Sequence, residues 1–475
     1  MSTFASAVAN TTKESTTTNG MLTLDSSLNP CVDLFFAIGS SRGKDIVPQF
    51  ERAYNSNPTA ALRILFWARD IRGGAGERET FRKLFKHYAN SNPARIGKLI
   101  ELVPEYGRWD DLLNLIGPVR PLGARYNELA LNLIVRELKK GNGICAKWMP
   151  RKGPIAHEIR RKMWLTPKAY RQLLVGLTKV VETQMCAREW EKINYNHVPS
   201  VAAARYQKAF TKRDPIRYEE YKKGLASGEN KINAAAVYPY DVIKSVHTGD
   251  AKVAAAQWEA LPNYLSDNGI VPMVDTSSSM SCKVNGSGSL TCMDISVSLG
   301  LYIADKQTGA FKDLFLTFNH NSRLELLRGD FLSKLAQLRR ADWGGNTNLA
   351  SAYDEILRVA TTNKLSPSEM PKYLLILSDM EFDMATRDYD GKSLRAQDMA
   401  ADKYAKAGYE LPKIVYWNLN ARPGNVPVKF DEKGTALVSG FSPAIMKGIL
   451  AAKEFSPVGI MLETINNERY SAISA

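Results

Sequence analysis

Long apolar runs, histidine and cysteine are what this chain of 475 residues has least of. No hydrophobic stretch approaches the roughly 20 residues that cross a bilayer, so no membrane span is expected. The Ser/Thr-rich N-terminus lacks the basic-then-apolar order of a secretory signal. Five cysteines (Cys31, Cys145, Cys186, Cys282, Cys292) are odd in number and show no C-x-x-C spacing. Reduced thiols in a cytoplasmic compartment are therefore expected. The histidines are scattered, and His157-Glu158 lacks the second histidine of a zinc protease. No Ser-His-Asp order or nucleophile elbow is visible. Arg72-Gly-Gly-Ala-Gly76 has the glycines of a phosphate loop but follows a helical pattern and lacks Gly-Lys-Ser/Thr, so it reads as a helix–helix turn. With neither nucleophile nor nucleotide loop, a non-enzyme is expected.

What the chain does have is positive charge, unevenly placed. Residues 1–267 carry 40 Lys+Arg against 26 Asp+Glu, whereas residues 268–475 carry 23 of each. A basic module joined to a neutral one suggests that the first meets a polyanion and the second does something else. Candidate contacts are Arg69, Arg72 and Arg78, then Lys139, Lys140, Lys147, Arg151 and Lys152. Arg160, Arg161, Lys162, Lys168, Arg171, Lys208, Lys212 and Arg213 follow, with Trp148 and Trp164 among them as candidate base-stacking platforms.

Apolar periodicity divides the chain in the same way. Residues 1–28 are small and polar and read as an arm that is disordered or ordered only on assembly. From 29 to 262, apolar residues recur at helical spacing, as in Leu173, Leu174, Leu177, Val180, Val181 and Met185. Short glycine-containing breaks separate these faces, which is how serial helix pairs are built. Residues 263–269 read as a connector. From 270 to 475, strand and helix patterns alternate: Val271–Val274, Leu314–Phe318, Arg323–Leu327, Tyr373–Leu377, Ile414–Trp417 and Ala436–Val438 are the strands. That alternation implies a doubly wound, parallel α/β sheet.

One stretch of the second module carries chemistry. Val271-Pro-Met-Val-Asp-Thr-Ser-Ser-Ser-Met280 is a buried strand running into Asp275-x-Ser277-x-Ser279. A carboxylate and two hydroxyls then sit at a strand's carboxyl end, where open α/β sheets place their sites. These hard oxygens are too few for a calcium cage and suit Mg²⁺, which keeps several waters. Gly344-Gly-Asn-Thr347 before a helix and Ser378-Asp379 after a central strand supply two further loops. Asp383, Asp388 and Asp390 read as a solvated acidic loop rather than a two-metal nuclease site.

Asp275, Ser277, Ser279, Thr347 and Asp379, in that order and on those elements, resemble the metal-ion-dependent adhesion site of von Willebrand factor A (vWA) domains. The resemblance implies Mg²⁺ or another divalent cation held directly by Ser277, Ser279 and Thr347, with Asp275 and Asp379 close or bridged by water. The ion then completes its shell with a partner's carboxylate or phosphate. The family often has glycine after the last aspartate; Met380-Glu381 stands here, so the backbone of that loop is expected to differ. A basic helical module ahead of such a domain resembles the TROVE proteins, the Ro autoantigen family. Arg69-Asp-Ile-Arg-Gly-Gly-Ala-Gly-Glu-Arg78, Tyr106-Gly-Arg-Trp-Asp110, Lys147-Trp-Met-Pro-Arg151, Val181-Glu-Thr-Gln-Met-Cys186 and Leu377-Ser-Asp-Met-Glu-Phe382 look like a Ro-like subfamily seen in phages, plants and fungi. The resemblance implies a HEAT-like helical ring closed by the vWA domain. Its expected partners are small non-coding or misfolded RNAs, with single-stranded ends taken through a basic central hole and structured RNA on the outer surface. The alternative is a virion or assembly protein whose metal site grips a partner carboxylate; RNA processing is the weakest reading. Cys282 and Cys292 bracket a Gly/Ser loop beside the site; an inert pair is expected in a reducing compartment, with a regulatory disulfide as the alternative.

Overall fold

The computed structural model describes residues 14–116, 125–178, 180–284, 289–318, 321–341, 348–383 and 396–475. The chain forms two compact units. One contains residues 1–64, 238–244 and 261–472, and the other residues 65–237, 245–260 and 473–475.

The first unit is built on a six-stranded sheet. After the short hairpin β1 (Glu14–Thr16) and β2 (Leu22–Leu24), the strands are β3 (Ile270–Val274), β4 (Leu314–Thr317), β5 (Leu324–Leu326), β6 (Tyr373–Ser378), β7 (Lys413–Asn418) and β8 (Thr435–Ser439). Their order is β5-β4-β3-β6-β7-β8. Every neighbouring pair is parallel except β4 and β5, which run antiparallel. β3 and β8 are buried at every residue, which explains why they read as continuous apolar runs rather than alternating ones. The α/β class read from the sequence is thus observed, with an antiparallel edge strand added. In this order the chain reverses direction between β3 and β6, the crevice where sheets of this type bind ligands.

The helix Cys292–Lys306 packs against β3, β6 and β4. Its Gly300 allows the approach, because a Cβ there would lie 2.3 Å from Val274 Cγ2. The unit also holds the helices Phe331–Arg340 and Pro457–Ile465, beside Leu349–Asn363, Ala396–Lys406 and Met446–Ala451.

The N-terminal segment departs from expectation from residue 14 onward. It is not a free arm. Leu24 N–H donates to the Val426 carbonyl at 2.9 Å, and Val426 N–H returns the bond to Leu24 at 2.9 Å. The helix Pro30–Ile38, capped by Asn29, lies against β8. There Ser439 Oγ donates to the Phe35 carbonyl at 2.8 Å, and Asn418 Nδ2 donates to that of Phe36 at 2.7 Å. Residues up to 64 fall in the sheet-bearing unit, including 29–64, which the helical periodicity groups with the residues that follow.

The second unit has no strand among its described residues. Its helices meet near neighbours in sequence: Ile96–Tyr106 packs on Arg125–Lys139, which packs on Gly143–Trp148 and Pro154–Lys162. Farther along, Tyr195, Phe210, Tyr218 and Tyr221 form an aromatic cluster with ring centroids 5.1–5.9 Å apart. Moving the boundary sharpens the charge asymmetry. The helical unit holds 34 Lys+Arg against 19 Asp+Glu, so the remainder of the chain is close to neutral. Among the described residues no helix is long and apolar enough to cross a membrane.

Candidate functional site

Asp275 follows β3 directly and Asp379 follows Ser378, the last residue of β6, side by side at the crevice. Asp275 is completely buried. Its Oδ1 accepts the Ser277 N–H at 2.9 Å, and its Oδ2 accepts the Ser378 hydroxyl at 2.5 Å. Ser277 Oγ and Ser279 Oγ lie 3.0 Å apart, and the Ser279 hydroxyl donates to Asp379. Four of the five expected ligands thus converge; Thr347 lies outside the described residues. Ser378 was overlooked as a site residue in the sequence, since nothing local tells a strand-end serine from a site one.

Electrostatically the site is short of positive charge. Burial, and then the neighbouring charge of Asp379, pushes Asp275 up to about 7. Asp379 is also raised by burial, although the Ser279 hydroxyl, the Glu381 N–H and the Lys44 ammonium oppose the shift. Both shifts say that the two carboxylates want a proton or a cation. Among the described residues no three His, Cys, Asp or Glu side chains come together as metal ligands, so any ion here would rely on the hydroxyls. The donor set allows it: cis oxygens on an ion with bonds of about 2.1 Å lie about 3 Å apart, the spacing of the two serine oxygens.

The loop after Asp379 is held from outside the sheet. Met380 has φ 68°, the left-handed conformation that glycine takes freely and other residues seldom adopt. Ser378 Oγ accepts the Met380 N–H at 3.0 Å, and Asn425 Nδ2 donates to the Met380 carbonyl at 2.9 Å. Thr18 N–H donates to Glu381 Oε2 at 2.7 Å, and Asn19 Nδ2 to the Glu381 carbonyl at 2.8 Å. Burial alone would raise Glu381. Arg422, at 2.6 Å and 3.1 Å from its two oxygens, and Thr18 outweigh that and keep it below the usual range. Asp383 joins Gly20 through a β-bridge, and Asp388 and Asp390 fall outside the described residues.

In the helical unit, one expected polyanion contact is ruled out. Arg69 is buried, its Nε donating to Asp111 Oδ2 at 2.7 Å, and Asp111 also accepts Arg82 Nε at 2.7 Å. The arginine neutralises a buried carboxylate and cannot reach a ligand. Trp148 is likewise engaged, with the Arg108 guanidinium 4.2 Å from its ring. Lys162 is half-buried on Glu128 and Asn132, while Lys147 and Arg160 are half-buried. Arg72, Arg78, Lys139, Lys140, Arg151, Lys152, Arg161, Arg171, Lys208, Lys212 and Arg213 are exposed. Several face acidic neighbours: Arg78 pairs with Glu79, Lys140 with Glu137 and Arg161 with Glu158.

Trp164 is 92% exposed. The helix Pro154–Lys162 ends in a Schellman turn: Trp164 N–H donates to the Arg161 carbonyl at 3.1 Å, and Leu165 N–H to that of Arg160 at 3.0 Å. The turn places residue 164 at φ 58°, where glycine is the usual occupant. A tryptophan here bears backbone strain of about 1–2 kcal/mol and, being exposed, gains almost no packing in return.

A family described as a domain of unknown function, DUF2828, matches residues 17–119 and 137–271, half of the chain. The chain belongs to the DUF2828 family. Its match begins at residue 17, in keeping with the ordered N-terminal hairpin. A second domain of unknown function, DUF7788, matches residues 270–470, the region of the sheet. The chain is also 28% identical to an uncharacterised protein, L728, of Acanthamoeba polyphaga mimivirus, over 94% of this chain and 86% of the viral one.

Proposed function

We propose that this member of the DUF2828 family is a non-enzymatic RNA-binding protein: a basic, HEAT-like helical unit holds single-stranded RNA, and a vWA-type unit carries a divalent cation. The observation that carries the reading is Trp164, an exposed, strained aromatic among cationic groups. Arg160, Arg161 and Lys162 precede it in the last turn of one helix, and Lys168 and Arg171 follow in the next. A flat apolar face among cations is the chemistry that grips a single-stranded nucleic acid, with bases stacking and phosphates paired. The net excess of basic residues in this unit supports a polyanionic ligand over a neutral one.

For the first unit, the strand order, the crevice and the convergence of Asp275, Ser277, Ser279 and Asp379 support a Mg²⁺ site of the adhesion type. Those side chains would hold the ion, which supplies an electrophilic point for an acidic group of a partner. A second reading, an assembly protein that uses this ion to grip a partner carboxylate, is favoured by the buried carboxylate pair alone.

Fluorescence anisotropy with a labelled oligouridylate separates the two. The RNA reading expects log affinity to fall linearly with log salt, by about 0.7 per phosphate contact. Trp164→Ala should lose about 1–3 kcal/mol of binding. Undetectable binding at low salt, or equal binding by wild type and variant, refutes it.

A further inference from the structure

Beside the oxygen site lies a second, sulfur-based one. Residues 282–284 and 290–292 run antiparallel: Val284 N–H donates to the Leu290 carbonyl at 3.1 Å, and Cys292 N–H to that of Cys282 at 3.2 Å. This pairing sets Cys282 opposite Cys292, with their sulfurs 3.2 Å apart. Asn420 Nδ2 donates to Cys282 Sγ at 3.0 Å. Cys282 is half-buried, whereas Cys292 is buried, with the Leu419 carbonyl 3.9 Å from its sulfur.

We propose that Cys282 and Cys292 form a thiol–disulfide exchange site whose reactant is a low-molecular-weight disulfide, with Cys282 the attacking and Cys292 the resolving thiol. The asymmetry of the surroundings assigns the roles. The contact with the Cys292 sulfur, and then the Asn420 amide, bring Cys282 down to about 7 against the effect of burial, with help from the Lys44 ammonium and opposition from Asp379. Cys292 is pushed far up by its bond to Cys282 and by burial. The half-buried Cys282 sulfur is thus the one an incoming disulfide reaches first, and the buried Cys292 sulfur behind it is placed to resolve the mixed disulfide.

The exchange balances. The Cys282 thiolate attacks one sulfur of RSSR, forming Cys282–S–S–R and releasing RS⁻, which takes a proton from solvent. Cys292 then gives up its proton and attacks Cys282 Sγ, releasing the second RS⁻. Two thiols are oxidised and one RSSR is reduced to two RSH. Cys31 and Cys145 take no part: both are buried, and burial pushes them up to about 11 and about 12. Since Cys282 N–H donates to the Ser279 carbonyl at 3.2 Å, closing the bridge stiffens the turn that carries a proposed cation ligand. The thiol chemistry itself needs neither cation nor RNA.

The test uses the full chain equilibrated in buffers of reduced and oxidised glutathione, trapped with N-ethylmaleimide and mapped by mass spectrometry. The expected product is a Cys282–Cys292 crosslinked peptide two hydrogens lighter, with Cys31 and Cys145 unmodified. Cys292→Ser should stop at one glutathione on Cys282, and Cys282→Ser should leave Cys292 untouched. In the reduced chain Cys282 should alkylate ahead of the buried Cys292, Cys31 and Cys145. A wild-type chain that accumulates the mixed disulfide, or that keeps Cys282 reduced when Cys186 is glutathionylated, overturns the proposal. These readouts are covalent, so they stand or fall independently of metal or RNA binding.

Discussion

Asp275 offers the sharpest test of the oxygen site, through Asp275→Asn measured against wild type across pH with and without Mg²⁺. In the unfolded chain this carboxyl ionises near 3.8, and in the fold near 7. Between those values the native state holds a proton that the unfolded state has released, so raising the pH destabilises the fold. Below about 4 and above about 7 this contribution is flat. A little over three pH units at ~1.4 kcal/mol each sets an upper bound of roughly 4 kcal/mol for the metal-free protein. Asparagine keeps the shape, and Ser378 Oγ can accept from its amide, so the variant loses the charge without leaving a hole. In EDTA, thermal denaturation should show wild type losing stability relative to Asp275→Asn from pH 5 to pH 8, by up to roughly 10 °C. Millimolar Mg²⁺ at pH 8 should restore wild type by replacing the proton and leave the variant unmoved. A wild-type-minus-variant difference that stays constant with pH, or equal stabilisation of both proteins by Mg²⁺, refutes the reasoning.

Other substitutions probe the remaining structure. Asp111→Ala leaves Arg69 buried without its counter-ion and should cost about 3–5 kcal/mol in denaturant unfolding. Trp164→Gly should move two quantities in opposite directions, raising stability by up to ~1 kcal/mol through relief of the left-handed strain while weakening oligouridylate binding; a loss of stability would show that the indole packs after all. Gly39→Ala puts a Cβ 2.4 Å from the Ser439 carbonyl oxygen and should cost about 1–3 kcal/mol, checked by the same unfolding curves.

Much of the second half of the molecule was legible because strand and helix are written in side-chain periodicity. The six strands from β3 to β8 fall within a residue or two of where apolar runs predict them. Asp275, Ser277, Ser279 and Asp379 could be grouped because each stands at a strand's carboxyl end, a position that sequence context reveals. The helical character and the basic excess of the other unit were equally visible, both being sums over many residues.

What the sequence could not settle are relations between distant residues. β1 and β2 are only three residues each, too short for a periodic signature, and the hairpin is held by main-chain bonds to Val426 and by Glu381 at its turn. Arg69 and Arg161 look alike as letters, yet one is buried on an aspartate 42 positions away and the other lies exposed beside Glu158. Cys282 and Cys292 become a reacting pair only when a β-bridge sets them opposite each other. Composition and periodicity settled the classes of element and the sign of the charge, since each residue contributes to those on its own. Burial, pairing and pKa depend on which groups the fold brings within a few ångströms, so they were decided by tertiary structure alone.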